Sequence, residues 1–344
     1  MTQAAGTPPG ADTPGGLLAV HAHPDDETLA TGALLAAWAA SGQRVTVVTC
    51  SRGERGEVID TPEHPTGLAH LEGDGPALAA HRELELAAAL AALGVGDHRF
   101  LDTVHLSDAG PARANRASDG VRYEDSGMTW VSPGVAGPAD DAPPTALSRV
   151  PLDDAASRLA AVLRDRRPSV VATYEPRGGY GHPDHVRAHE VTVRAVELAA
   201  DPAARVPGEP WRVPERWEAV APVSEVRAAR RALADHGAVR GLADRVGLEL
   251  PDPDEPLPPV AKDDAVLDGE RLARVEVSPV LVPVLAAMRA HATQVQHATA
   301  AQPVAAHPPA GGLLGWYALS NDVLAPILAH ETYVRRTTPV GSPR

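Results

Sequence analysis

The stretch Leu17-Leu18-Ala19-Val20-His21-Ala22-His23-Pro24-Asp25-Asp26-Glu27 sets an apolar run of strand length against a polar turn, and an Ala/Leu-rich stretch follows to about Ala40. Such a run, closed by a turn and followed by helical spacing, reads as a buried strand entering a helix. Gly42 stops that helix. Val45–Thr49 is a β-branched run that reads as a second buried strand, Ala77–Leu93 as a second helix ending at Gly94, and Phe100 and Leu101 as part of a third strand. Helix Asp153–Arg166 stops before Pro168, Ser169–Tyr174 is again a strand, and a Gly-rich loop leads into a helix beginning near Asp184. The alternation predicts an α/β fold with a doubly wound, mostly parallel, Rossmann-like sheet and helices on both faces. Sheets of this kind bind ligands outside the carboxyl ends of their strands.

The intervening segments carry fewer signals. Asp102–Pro151 is long, polar and rich in Gly, Pro and Asp; Asp201–Pro210 is a second break, and Pro251–Pro259 an acidic, Pro-rich connector. Loops of the first kind are functional or disordered. Beyond the connector, Ala265–Val277 reads as a hairpin turning at Asp268-Gly269, and Ser278-Pro279 as the cap and first residue of a helix to about Ala290. There are no internal repeats.

Composition narrows the function classes. Asp and Glu number 45 against 31 Lys and Arg, a net charge of −14 that repels polyphosphate and anionic lipid unless a basic patch overrides it, and no such patch is visible. Nucleic acid is therefore not an expected partner. No apolar run approaches the roughly 20 residues of a membrane span. Cys50 is the only cysteine, so no intrachain disulfide forms. Met1–Gly16 lacks a basic and then apolar leader and reads as a disordered tail. A soluble, cytoplasmic protein is expected, of undetermined oligomeric state.

The chemistry resides in two turns. His21-Ala22-His23-Pro24-Asp25-Asp26-Glu27 puts two imidazoles and three carboxylates where a strand ends and a helix begins. A catalytic zinc needs three N/O ligands, an open position and a nearby carboxylate to accept a proton from water. Acids at a helix start also have a plain structural reading, since negative charge is favourable there. The second turn, Gly178-Gly179-Tyr180-Gly181-His182-Pro183-Asp184-His185, repeats the His-Pro-Asp signature after another strand. If the two strands are neighbours, both turns converge on one metal, and His185 completes a His23-Asp26-His185 set. Zinc suits that set, and so does iron(II). The glycines let backbone approach a ligand closely, with spacing that matches neither a P-loop nor a dinucleotide fingerprint. His189 stands four residues after His185 but in the wrong order for a zinc helix, and reads as structural; Cys50 reads as a buried, inert thiol.

The pair HAHPDDE (His21–Glu27) and GGYGHPDH (Gly178–His185) resembles the PIG-L/LmbE-like family of zinc-dependent N-deacetylases. The segments VVTC (Val47–Cys50), RGEV (Arg55–Val58), DSGM (Asp125–Met128), HATQV (His291–Val295) and ALSN (Ala318–Asn321) resemble the branch of that family that removes acetate from N-acetylglucosaminyl-inositol in the actinobacterial mycothiol pathway. The likeness runs from Leu17 to Tyr333. It implies that His23, Asp26 and His185 bind zinc and that Asp25 is the general base. His182 would stabilise or protonate the tetrahedral intermediate, Tyr180 would polarise the carbonyl, and Asp184 would orient His182. Arg82, Asp125 and Glu54 would hold sugar or inositol hydroxyls, although Arg82 with Glu85 could also be an ordinary exposed ion pair. The related branch that cleaves mycothiol S-conjugates usually carries Pro at the position of Gly181, whereas its GERG sequence is matched by Gly53-Glu54-Arg55-Gly56. The alternatives are thus that amidase or an N-deacetylase for another amino sugar. On this reading 17–200 is the α/β catalytic domain and 201–344 a smaller α+β portion packed on it.

Overall fold

The computed structural model describes residues 15–106, 122–132, 134–301 and 310–337. The expected tail lies outside the described residues except for Gly15 and Gly16. Gly16 already belongs to the fold, because its carbonyl accepts the backbone N–H and the hydroxyl of Ser169.

The main sheet is built from seven principal strands: β1 (Leu17–His21), β2 (Val45–Thr49), β3 (Asp97–Phe100), β4 (Val170–Tyr174), β5 (Glu215–Pro222), β6 (Leu272–Glu276) and β7 (His330–Thr337). Their order is β3-β2-β1-β4-β5-β7-β6, and the two-residue strand Ala261–Lys262 pairs in parallel with the end of β5. The five strands from β3 to β5 run parallel; β7 is antiparallel to both β5 and β6. Strand β1 alternates across this sheet: Leu17 and Ala19 join the apolar layer beneath α1 (Asp26–Ala40) and α2 (Gly75–Leu93), while Leu18 and Val20 join the layer beneath α3 (Leu152–Arg166) and α4 (Pro183–Ala200). Both faces are covered, so β1 can be apolar throughout. Each of its four apolar side chains is at most 1% exposed, and truncating either leucine should cost about 2–5 kcal/mol.

The second half of the chain was less legible. Helices α5 (Val223–Asp235) and α6 (Gly237–Val246) pack with the antiparallel strands Gln296–Ala300, Leu313–Ala318 and Leu324–Leu328 around Leu233, Val239, Trp316 and Leu324. Helix α7 (Leu281–Ala290) returns to the main core, preceded by one turn of tighter helix over Ser278–Val280 rather than starting at Pro279. The expected hairpin at Ala265–Val277 does not form. Asp264–Leu267 is a helical turn, with Leu267 buried against Val220 and Val334, and Leu272–Glu276 pairs instead with β7. The apolar Ala273 and Val275 are buried against the main core, which a free hairpin would not have provided. The third strand ends at Phe100; Leu101 begins a short helical turn. Within the Asp102–Pro151 loop, Met128–Ser132 and Val135–Pro138 form an antiparallel pair. Among the described residues no helix is long and apolar enough to cross a membrane.

Glu331 of β7 fixes α1 to the sheet: its carboxylate accepts the amides of Ala33 and Leu34 at 2.7 and 2.9 Å and the Tyr333 hydroxyl at 2.6 Å. Burial pushes its carboxyl up to about 7. A carboxyl whose folded pKa lies above its unfolded one favours the fold most below the unfolded value, and the contribution is lost as pH rises through the folded value. Thermal stability is expected to decline between about pH 4.5 and 7 through this group, and Glu331→Gln should flatten that slope in a pH series of melting curves. An unchanged slope would remove Glu331 from the account.

Candidate metal and active site

Parallel pairing of β1 with β4, Leu17 opposite Val170 and Ala19 opposite Ala172, delivers both His-Pro-Asp turns to one edge of the sheet. There Asp26 links the two imidazoles. Its Oδ2 lies 3.4 Å from His23 Nδ1 and its Oδ1 3.3 Å from His185 Nε2. His185 Nε2 is buried and has no hydrogen-bond partner among the described residues. The other nitrogen of His23, Nε2, faces Asp184 Oδ2 at 3.2 Å. Asp184 also accepts the Ser126 amide and hydroxyl, so the imidazole is the donor in the Asp184 contact. That leaves the Nδ1 lone pair directed at Asp26. An imidazole that donates one N–H to a carboxylate and turns its other nitrogen inward is oriented as a metal ligand.

The described residues contain two groups of donor atoms close enough together to hold one ion, His23-His182-His185 and His23-Asp125-Asp184. The sequence-derived set His23-Asp26-His185 overlaps the first, with Asp26 in place of His182. His182 is poorly suited to be the third ligand through Nδ1, because that atom accepts the Asp184 backbone N–H at 3.1 Å as the cap of α4. Asp184 therefore orients His182 through its amide; its carboxylate serves His23 and Ser126.

Electrostatics separate the carboxylates. Burial raises the Asp26 carboxyl, but His185 and His23 outweigh it and hold it far below the ordinary range. Burial pushes Asp25 up to about 7, against the Arg82 guanidinium 3.2 Å away. Burial and the neighbouring His23 and His185 bring His182 down to about 3, so its ring is neutral. Asp25 also sits at φ +100°, a conformation disfavoured for a side-chain-bearing residue. Its amide is held by Glu27 Oε2 at 3.0 Å, and Glu27 Oε1 is in turn held by His291 Nε2 at 2.8 Å, both side chains wholly buried. Asp25, Asp26 and Glu27 are thus not a simple helix cap; α1 has no side-chain cap bond from Asp25.

The three residues expected to bind substrate also bond groups of the protein itself. Arg82 is 3% exposed and donates to the carbonyls of Gly53 and Pro24 as well as to Asp25. It is not paired with Glu85, whose carboxylate accepts from Thr293. Glu54 accepts the amides of Arg52 and Asp125 and the Arg122 side chain. Asp125 accepts the amides of Gly127 and Arg55, and its Oδ1 lies 3.6 Å from His23 Nε2. His189 bonds the Tyr174 carbonyl, and Cys50 is a fully buried thiol with its pKa raised by burial, both as expected.

Residues 18–196 match the model of the PIG-L family, described as GlcNAc-PI de-N-acetylase. The chain belongs to this family. It is 47% identical over 286 residues to the 1D-myo-inositol 2-acetamido-2-deoxy-alpha-D-glucopyranoside deacetylase of Kineococcus radiotolerans, covering 83% of this chain and 70% of the relative. The same named deacetylase of Streptomyces avermitilis is 42% identical over 335 residues, covering 95% and 94%, and that of a Nocardioides species 43% identical, covering 81% and 83%.

Some residues of this PIG-L site carried no sequence signal of their own. Tyr174 closes strand β4, stacks on His185 with ring centroids 4.4 Å apart, and accepts the Ala22 N–H through its hydroxyl. Ser126 and His291 lie inside segments quoted for their likeness, but only the fold reveals that one holds Asp184 and the other Glu27. The glycines of the second motif serve the protein's own packing, not only a ligand. A Cβ on Gly178 would lie 2.7 Å from His185 Cβ, and one on Gly181 (φ +94°) would lie 2.7 Å from the Ala136 carbonyl oxygen. Gly181→Ala is therefore expected to lower stability by about 1–3 kcal/mol, measured by denaturation. A variant as stable as the parent would show that the Val135–Pro138 strand does not pin this turn.

Proposed function

We propose that the chain is a zinc-dependent N-deacetylase that hydrolyses the acetamide of N-acetylglucosaminyl-inositol to glucosaminyl-inositol and acetate, the reaction for which its curated relatives are named. The observation that carries the reading is the Asp26 carboxylate held between His23 Nδ1 and His185 Nε2, beside an Asp25 not used as a cap. His23, Asp26 and His185 hold the ion, and iron(II) is the alternative metal for the same donors. Zinc there supplies Lewis acidity toward the amide carbonyl and toward water.

The remaining roles fall to the chain's own groups. Asp25, pushed up to about 7, is suited to accept a proton from the attacking water near neutrality. Arg82 keeps its carboxylate aimed. His182 acts as a neutral Nε2–H donor toward the developing oxyanion, because protonating Nδ1 would oppose the Asp184 amide that already occupies it. The proton for the departing amine then comes from Asp25. Tyr180, edge-on to His185 at 5.0 Å with its phenol kept protonated by burial, is placed to assist polarisation of the carbonyl. Asp125, bordering His23, is the hydroxyl-binding group; Glu54 acts through Asp125 and Arg82 through Asp25.

Two observations favour deacetylation over cleavage of a thiol conjugate. Gly181 adopts φ +94°, which proline cannot. Arg55, the residue shared with the amidase branch, points its guanidinium at Asp141, 2.6 Å away on a surface loop. A chain with one cysteine gains no disulfide from an oxidising compartment, which supports a cytoplasmic setting.

Asp25→Ala is expected to lower kcat on N-acetylglucosaminyl-inositol by at least about 100-fold while zinc stoichiometry, read by elemental analysis, stays at the wild-type value. Metal lost together with rate would make Asp25 a ligand. Wild-type kcat/KM should favour the acetylated glucosaminide over a thiol conjugate, and a reversed preference would assign the chain to the amidase.

A further inference from the structure

Trp130 is unused by the chemistry above and is placed unlike the other tryptophans. Trp38 and Trp217 are wholly buried, Trp316 is 5% exposed and Trp211 is partly buried, whereas Trp130 is 53% exposed, in a chain with only 3% aromatic residues. Its neighbour Val131 is exposed as well. Both belong to the Met128–Ser132 strand, and the pair it forms with Val135–Pro138 is mounted on the site from two sides. Just before it, Ser126 bonds Asp184 through its amide and hydroxyl. On the returning strand, the Ala136 carbonyl rests where only a glycine at 181 leaves room. The indole lies 5.9 Å from the Tyr180 ring at a 34° tilt, and Tyr180 lies 5.0 Å from His185. An exposed indole is thus carried on an anchored strand pair, two successive ring contacts of 5.9 and 5.0 Å away from His185.

We infer that Trp130 and Tyr180 form an aromatic step that receives the group attached to the anomeric carbon of the amino sugar, for the proposed substrate the cyclitol ring. An aromatic face recognises the C–H face of such a ring without charge. Trp130 is thus a specificity-determining residue: it sets affinity for the aglycone and leaves hydrolysis of the acetamide alone. The inference rests on the reading that the amino sugar occupies the metal site.

The test uses zinc-loaded wild type, Trp130→Ala and Trp130→Phe. Calorimetry gives Kd for glucosaminyl-inositol and for glucosamine, and kinetics give KM and kcat for their N-acetyl forms. The exposed position keeps the alanine variant folded, which its melting curve checks. In that variant the inositol-bearing ligand should bind about tenfold more weakly, with KM raised alike, kcat within about twofold, and glucosamine binding unchanged; Trp130→Phe should recover most of the loss. Equal weakening of both ligands would reduce Trp130 to a support for Tyr180, and no weakening of either would remove it from the site; both overturn the inference. A wild-type protein that binds neither ligand would overturn the amino-sugar reading and this inference with it, and that outcome is read before any variant is compared.

Discussion

The parallel pairing of β1 with β4 is the constraint on which the site depends. Each strand ends in a His-Pro-Asp turn, and each turn by itself is an acidic helix start. Set side by side at the centre of the sheet, with Leu17 opposite Val170 and Ala19 opposite Ala172, they bring His23 and His185 to the two oxygens of one carboxylate. The pairing is itself secured by burial on both faces. Leu17 and Ala19 face one apolar layer, Leu18 and Val20 the other.

The charge collected at that edge suits it to a cation. Asp25, Asp26, Glu27, Asp125 and Asp184 converge there, and among the described residues Arg82 on Asp25 is the only guanidinium or ammonium group bonded to any of them. Burying carboxylates without compensation is costly. The imidazoles supply part of the compensation, His291 on Glu27 and His23 on Asp184. Burial pulls the His23 imidazole down, yet Asp125, Asp184 and Asp26 outweigh it and hold it protonated well above its usual range when no metal takes Nδ1. A proton and a metal ion thus compete for the same lone pair, as expected of a site whose ligand must be neutral to bind.

The first half of the chain was legible because its elements obey a single rule each. The β-branched and apolar strand runs, the helix ended by Gly94 and the helix stopped before Pro168 lie within a residue or two of the observed bounds. The convergence of His23, Asp26 and His185 was legible because two short motifs repeat. What was not legible depends on long-range contacts. Leu272–Glu276 alternates as a hairpin strand would, but its partner is β7, some 60 residues later in the chain. Spacing alone pairs Arg82 with Glu85 on a helix surface, whereas the side chain is buried and bonds the Asp25 carboxylate and the carbonyls of Gly53 and Pro24. Asp184 was expected to orient His182; its amide reaches that ring, while its carboxylate reaches across the site to His23. Spacing along a chain says which residues share a turn, and it is silent on which atom of each faces its neighbour.

An anomalous diffraction map recorded at the zinc edge on the zinc-loaded protein identifies the metal ligands. A single peak is expected within bonding distance of His23 Nδ1, Asp26 and His185 Nε2, with His182 outside it. A peak bonded to His182, or one on the other side of the His23 ring between Asp125 and Asp184, would contradict it.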